Sequence, residues 1–498
     1  MPIRALQPSR ALELATFHME ETVRDLARLL AFRTDSSDPT TGAQMEACAR
    51  WLALYLIQVG LDARVLPTHG APVVIGNWWH APGKPTLLIY AHYDVQPPGP
   101  RSVWTSPPFM PQLRGAKLYA RGASDDKGQL FAHVKAMEAH LRAYGRLPLN
   151  VTCIFEGEEE IGSPALSRLM RRRPPRADVA VVSDTTILGP EQPAITVGLR
   201  GQLAAELKVR GASSDLHSGL FGGSVGNPIQ VIGRLLAGLE NGAGRVALPG
   251  FYDRVRPLSI RERIELRSSG PRDHDLLGVA GTANSWGEAG YSPYERVAIR
   301  PALTVNGIYG GHLGAGPKSV IPSMAGAKLS FRLVPDQNPV EVNELLRAYV
   351  ANHIPPGMSW SLKTQKVEWP ILTSSRRPGV RAAAEAYRRG FGRKPALVRS
   401  GGSVALVSLL ERNLGIPTVL MGFGLLTDRQ HGPNEHIRLD VLRRAIYTCI
   451  NFYSLVAGVS SRRSPTFGTL HETDAPSEQT TFGVKALSDA GYKTVASL

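Results

Sequence analysis

The stretch TLLIYAHYDVQPPGP, residues 86–100, decides the fold. Leu87 to Ala91 run without a charge, the pattern of a strand buried on both faces, and the run stops in a polar, proline-rich loop carrying His92 and Asp94. Such strands belong to mainly parallel sheets covered by helices, where ligands gather beyond the carboxyl ends of the strands. A histidine there, followed by a carboxylate able to orient its ring, suits a metal ligand and its support. Alone it also suits an ordinary loop histidine, so the other ligands must come from elsewhere in the chain.

Working outward, VTCIF (151–155) and VAVVSD (179–184) read as further buried strands, and GQLFAHVKAMEAHLRAYG (128–145) reads as a long helix. From about 195 to 370 the pattern changes. QLAAELKVRG and GAKLSFRLVP read as half-exposed strands beside helices such as NPIQVIGRLLAGLE. The α/β pattern then resumes with VRAAAEAYRRGFG (380–392), GGSVALVSLLERN (401–413) and TVLMGFG (418–424), and a helix closes it. The expected fold class is α/β: a mainly parallel-sheet domain built from residues 1–194 and 373–459, interrupted by a smaller α+β domain over 195–372. Residues 460–498 read as a polar, mobile tail.

Composition narrows the function. A chain of 498 residues is long enough for more than one full core. The net charge of +15 is spread along the chain apart from RRRPPR (171–176), and aromatic residues make up only 7%. That distribution argues for a solvated basic surface and against nucleic acid as a partner. No run reaches the roughly 18 apolar residues of a membrane span, so no membrane partner is expected. Cys48, Cys153 and Cys449 are too few and too widely spaced for a disulfide framework or a thiolate zinc site. Near the N-terminus, Val23, Leu26, Leu29 and Leu30 form a helical stripe rather than a signal-peptide core, and a cytoplasmic location is expected.

The chemistry-bearing residues follow strands. YARGASDDKGQL (119–130) places Asp125 and Asp126 before the long helix, where simple capping is the plain alternative. VTCIF runs into EGEEEIGS, with Glu156, Glu158, Glu159 and Glu160 so close together that cations or separate roles must offset their repulsion. A third strand ends in Asp184. After TVLMGFG comes DRQHGPNEH, with His431, Asn434 and Glu435. Four elements thus deliver His, Asp or Glu toward one sheet edge. Oxygen and nitrogen donors without thiolates suit zinc, manganese or cobalt in a site that keeps room for water.

These segments resemble the two-metal aminoacylase, carboxypeptidase and succinyl-diaminopimelate desuccinylase superfamily, most of all its carnosinase-like cytosolic dipeptidases. AHYDVQP, RGASDDKG, EGEEEIGS, HSGLFGG, SVIP, FRLVP, GGS and HxxNE occur in order over about residues 20–455. The resemblance implies a zinc-exopeptidase-like catalytic domain with an inserted lid and dimerisation domain. It implies two divalent ions per subunit, zinc first, with manganese or cobalt possible. Asp125 would be shared by both, His92 and Asp184 would complete one set, and Glu160 and His431 the other. The peptide bond between Asp125 and Asp126 would be cis. Asp94 would support His92, and Glu159 would be the general base. His217 would act across the subunits of a homodimer on the tetrahedral oxyanion, while Ser319, Arg332 and Ser403 would hold the substrate backbone and terminal carboxylate.

The implied activity is hydrolysis of a dipeptide or small peptide-like amide by hydroxide held between two metals. The alternative is an N-acyl-amino-acid deacylase on the same machinery, and the remote alternative a non-catalytic basic binding protein. One departure bears on the substrate: Ser400 stands where carnosinase-like relatives usually have Glu before GGS.

Overall fold

A computed structural model describes residues 8–459. The chain lays down β1 (Asp62–Leu66), β2 (Val73–Trp78), β3 (Thr86–His92), α1 (Lys127–Tyr144), β4 (Asn150–Glu156), β5 (Val179–Val182) and β6 (Ala194–Leu199). Next come β7 (Gly201–Arg210), α2 (Pro228–Gly238), β8 (Ala302–Gly310), β9 (Met324–Leu333), α3 (Pro339–His353) and β10 (Ser359–Glu368). It finishes with β11 (Ile371–Leu372), α4 (Pro378–Phe391), β12 (Ala396–Ser400), β13 (Thr418–Leu420) and α5 (Leu439–Val456). The expected tail over 460–498 lies outside the described residues.

One sheet runs β1-β2-β4-β3-β5-β13-β6-β11, with β12 paired to β6. Its centre is parallel: β3 pairs with β4 and with β5, and β13 pairs with β5, all in the same direction. The carboxyl ends of these four strands therefore share one edge, which is where the sequence carries its acids and histidines. The outer strands β1 and β2 are antiparallel. The buried run Leu87–Ala91 is fully enclosed, as a strand covered on both faces requires.

Helix α1 is buried almost all round, so its polar residues need partners. His133 Nε2 lies 2.7 Å from Ser183 Oγ and Nδ1 lies 2.9 Å from the Tyr453 hydroxyl on α5. His140 Nε2 reaches the Ile450 carbonyl at 3.1 Å. These bonds tie α1 to Ser183, just beyond β5 and next to Asp184, and to α5. The helix stops at Gly145, whose φ of +64° suits glycine. The stretch GGSVALVSLLERN forms only a short helix, Ala405–Ser408, and a wider π-type turn, Leu409–Asn413.

A separate antiparallel sheet has the order β8-β9-β7-β10. Strand β7 alternates strictly: Leu203, Ala205, Leu207 and Val209 are buried, and the residues between them are half-exposed. The buried set packs against Val231, Ile232 and Leu235 of α2 and Leu346 and Val350 of α3. Three short helices, Ile260–Ser269, Asp273–Ala280 and Pro293–Ile299, gather around Leu266, Tyr294, Ala298 and Ile299. Two of them open with capping boxes, Ser259 with Glu262 and Ser292 with Glu295. No described helix is long and apolar enough to cross a membrane.

Candidate metal centre and active site

His92 is the last residue of β3, and its two ring nitrogens face different partners. Nε2 lies 3.2 Å from Asp125 Oδ1 and 3.9 Å from Asp184 Oδ2, while Nδ1 lies 3.1 Å from the Asp94 carbonyl and 3.3 Å from its Oδ1. The Asp94 carboxylate also accepts the backbone N–H groups of Glu159 at 3.2 Å and Glu160 at 3.1 Å. One buried carboxylate thus fixes the turn after β4 as well as the histidine ring. On the other side His431 Nε2 lies 2.9 Å from Asp125 Oδ2 and 3.5 Å from Glu160 Oε1.

Two groups result, His92–Asp125–Asp184 and Asp125–Glu160–His431, each offering donor atoms within 4.8 Å of one another. Asp125 belongs to both and turns one oxygen toward each histidine. Burial and then the neighbouring Asp125 push the Asp184 carboxyl up to about 7. Despite their own burial, the imidazoles hold Asp125 below the ordinary carboxylate range, chiefly His431 and then His92. In turn Asp125 and Glu160 raise His431 to about 10. Glu160 Oε1 is buried without a hydrogen bond, although Gln96 donates to Oε2 at 2.8 Å. Converging carboxylates with an unsatisfied oxygen, two imidazoles and no thiolate fit a pair of divalent cations.

The acids of EGEEE divide their roles. Glu156 accepts from the Tyr90 hydroxyl at 2.5 Å and Ser163 Oγ at 2.7 Å; Glu158 accepts the backbone N–H groups of Ala71 and Ala165, each at 3.0 Å. Both are buried braces. Glu160 joins the cluster. The Glu159 carboxylate lines the cavity and makes no hydrogen bond with a described residue; burial and then Asp184 raise its pKa. Gly157 allows this crowding, because a Cβ there would sit 2.7 Å from the Tyr93 ring.

Glu435, which the sequence reading names without a role, is the brace of the Asp125 loop. Its Oε2 accepts Arg121 Nη1 at 2.7 Å and the Gly122 N–H at 3.0 Å, and its Oε1 accepts the Ser124 and Asp125 N–H groups, each at 3.0 Å. It is fully buried. The Asp125–Asp126 peptide bond is cis, in line with the resemblance. His431 itself has a φ of +61°, held by a loop in which Arg429 and Asn434 are also left-handed.

The other expected residues are placed unevenly. Arg332 Nη1 donates to Ser403 Oγ at 3.0 Å, and that hydroxyl also contacts buried Glu368, which pairs with Lys366 at 2.9 Å. Ser403 lines a cavity of about 350 Å³ together with Asp125, Glu159, Glu160, Asp184 and His431. His217 and Ser319 are exposed and do not line it. The His217 ring turns back on its own loop, where Nδ1 accepts the Gly219 N–H at 3.0 Å, and the Ser319 carbonyl accepts the Ser218 N–H at 3.2 Å.

Comparison with known proteins agrees with this geometry. The family profile described as peptidase family M20/M25/M40 matches residues 88–454. The Cys-Gly metallodipeptidase of Candida albicans is 32% identical over 381 residues, covering 74% of this chain and 78% of that protein. The crystal structure of human carnosine dipeptidase 1 superposes with a TM-score of 0.79 at 26% identity, covering 92% of this chain and 100% of that one. An M20-family metallo-carboxypeptidase of Sulfolobus solfataricus gives 0.80 at 32% identity, covering 88% and 99%.

Proposed function

The chain belongs to peptidase family M20/M25/M40, and from that premise we propose that it is a metal-dependent dipeptidase in which Asp125 is shared between two cation sites and Glu159 moves the proton. The observation that carries this reading is the pair of donor groups joined by Asp125, with an unbonded carboxylate, Glu159, beside them. His92 and Asp184 would hold one cation, and Glu160 and His431 the other. Nitrogen and oxygen donors suit zinc, with manganese or cobalt able to replace it. Bound there, the pair would polarise the scissile carbonyl and acidify a water molecule.

The chain's own residues do the rest. Glu159 accepts the proton of the attacking water on its free carboxylate and returns it to the leaving nitrogen. Asp94 keeps His92 aimed through Nδ1, so Nε2 remains the donor atom. Arg332 and Ser403 receive the substrate's terminal carboxylate, a task suited to a guanidinium that already reaches the Ser403 hydroxyl.

We assign residues 195–372 as a lid and dimerisation domain and the chain as a homodimer in which His217 serves the partner's site. Support comes from the exposure of His217 outside its own cavity and from edge strand β8, which exposes Val305 and Ile308. Three buried free cysteines support a cytoplasmic location.

The test is hydrolysis by full-length protein stripped with a chelator and reloaded with zinc, manganese or cobalt. Reloaded protein is expected to cleave dipeptides such as Ala-Ala and Cys-Gly, and stripped protein to cleave none. Cleavage of N-acetyl amino acids alone would favour the deacylase instead. No cleavage of any amide by protein shown to contain metal defeats the reading.

A further inference from the structure

The cavity has two ends of opposite character. Of its four carboxylates, Asp125, Glu160 and Asp184 belong to the candidate metal groups and Glu159 lies beside them. Away from them the wall carries no further carboxylate: Leu188, Pro271, Leu276 and Val297, the last three from the short-helix region, stand beside uncharged polar residues such as Thr186, Thr196 and Ser400. The single arginine among the residues lining the cavity is Arg399, near the end of β12.

Arg399 is held in place by its backbone while its charge is left free. Its N–H donates to the Tyr294 hydroxyl at 3.1 Å, and that hydroxyl donates to the Arg399 carbonyl at 3.2 Å. Tyr294 is buried, so this anchor is rigid. The side chain passes over Gly198, where a Cβ would come within 3.1 Å of Arg399 Cγ and 3.3 Å of Cδ. A residue with a side chain at 198 would crowd the arginine stem. The guanidinium itself makes no hydrogen bond or ion pair with a described residue. Of the charged groups that act on it, Arg256 is like-charged, and Glu262 is already engaged by Arg256 through two contacts of 3.1 Å. Arg200, close by, is different, because it is spent on the carbonyls of Gly401 at 3.0 Å and Arg300 at 3.2 Å. An arginine that is half-buried and unpaired at a cavity wall lacks an anion.

We propose that Arg399 is a specificity-determining residue that pairs with a carboxylate on the acyl half of the substrate. The inference rests on the dipeptidase reading, which assigns the terminal carboxylate of the amine half to Arg332 and Ser403. The acyl half is then left with the uncharged wall and Arg399, and with no carboxylate there to hold a cationic side chain. Two substrate types share this chemistry, an amino-terminal Asp or Glu residue and a dicarboxylic acyl group such as succinyl.

The experiment compares kcat/KM of metal-loaded wild type, Arg399→Gln and Arg399→Lys on Glu-Ala, Gln-Ala, N-succinyl-Ala and N-acetyl-Ala. Wild type is expected to prefer the acidic member of at least one pair by about 10- to 100-fold, the range of a charge-assisted contact. Arg399→Gln should abolish that preference and leave the neutral member within about twofold, and Arg399→Lys should restore part of it. Which pair shows the preference identifies the acyl type. Cleavage of the neutral substrates with no acidic preference, or a preference that survives Arg399→Gln, overturns this inference alone. Cleavage of none of the four by wild type defeats the hydrolase reading and this inference with it.

Discussion

Glu435→Gln changes one oxygen to an amide nitrogen at the point where the loop bearing Asp125 is tied to the loop bearing His431. The carboxylate serves four donors, with Arg121 and Gly122 on one oxygen and Ser124 and Asp125 on the other. Glutamine keeps one acceptor oxygen, so two of the four donors would face an NH2 group. If the oxygen stays with Ser124 and Asp125, the buried Arg121 guanidinium loses its counter-charge. Breaking a buried ion pair costs about 3–5 kcal/mol, and a buried donor left unserved costs about 1–3 kcal/mol. A loss of about 4 kcal/mol in the stability of chelator-stripped protein is therefore expected, read from urea unfolding. Metal affinity, read by competition with a chromophoric chelator, should fall about 10- to 100-fold, because a group that orients a ligand has been altered. Glu158→Gln is the control: Glu158 is also a buried acceptor of two backbone N–H groups, but those belong to Ala71 and Ala165. It should lose stability and keep its metals. The reasoning fails if Glu435→Gln unfolds within about 1 kcal/mol of wild type and binds metal equally well.

Two further outcomes are expected. Glu159→Gln should lower kcat by about 10²-fold or more with both metals retained by elemental analysis, whereas Glu160→Gln should lose metal; full activity in Glu159→Gln removes the proton-transfer assignment. Mixing equal amounts of inactive His217→Ala and Glu159→Gln chains under conditions of proven subunit exchange should recover about a quarter of wild-type activity, since half of the dimers are mixed and each holds one intact site of two; exchange without recovery shows that His217 does not act across the dimer.

Much of the cluster was legible because strand ends announce themselves. Leu87–Ala91, VTCIF and VAVVSD are apolar runs that stop at His92, at the glutamates and at Asp184, and the parallel pairing of β3, β4 and β5 brings those stops to one edge. Glu435 was visible in HGPNEH, but its partners lie more than three hundred positions earlier, and no local pattern links a loop glutamate to the N–H groups of Gly122, Ser124 and Asp125. The resemblance singled out Glu159, but the roles of Glu156 and Glu158 as buried braces needed their hydrogen-bond partners, since four acids in five residues look alike in local pattern. Arg399 was hidden for a different reason: it is defined by the partners it lacks. The helix Pro293–Ile299, which gives Tyr294 and Val297 to the cavity wall, had a readable start in the Ser292–Glu295 box, yet capping says nothing about what a helix will cover.

Strand β13, residues Thr418–Leu420, lies between β5 and β6, which the chain completes before residue 200. During synthesis the ribosome therefore releases two strands whose shared neighbour does not yet exist. At about 5–20 residues per second, more than two hundred further residues take roughly ten seconds or longer to appear. Through that interval β5 keeps an unpaired edge, a template for the wrong strand of another nascent chain. The same order would leave the candidate site without His431 through that interval, because His431 is translated after the missing strand.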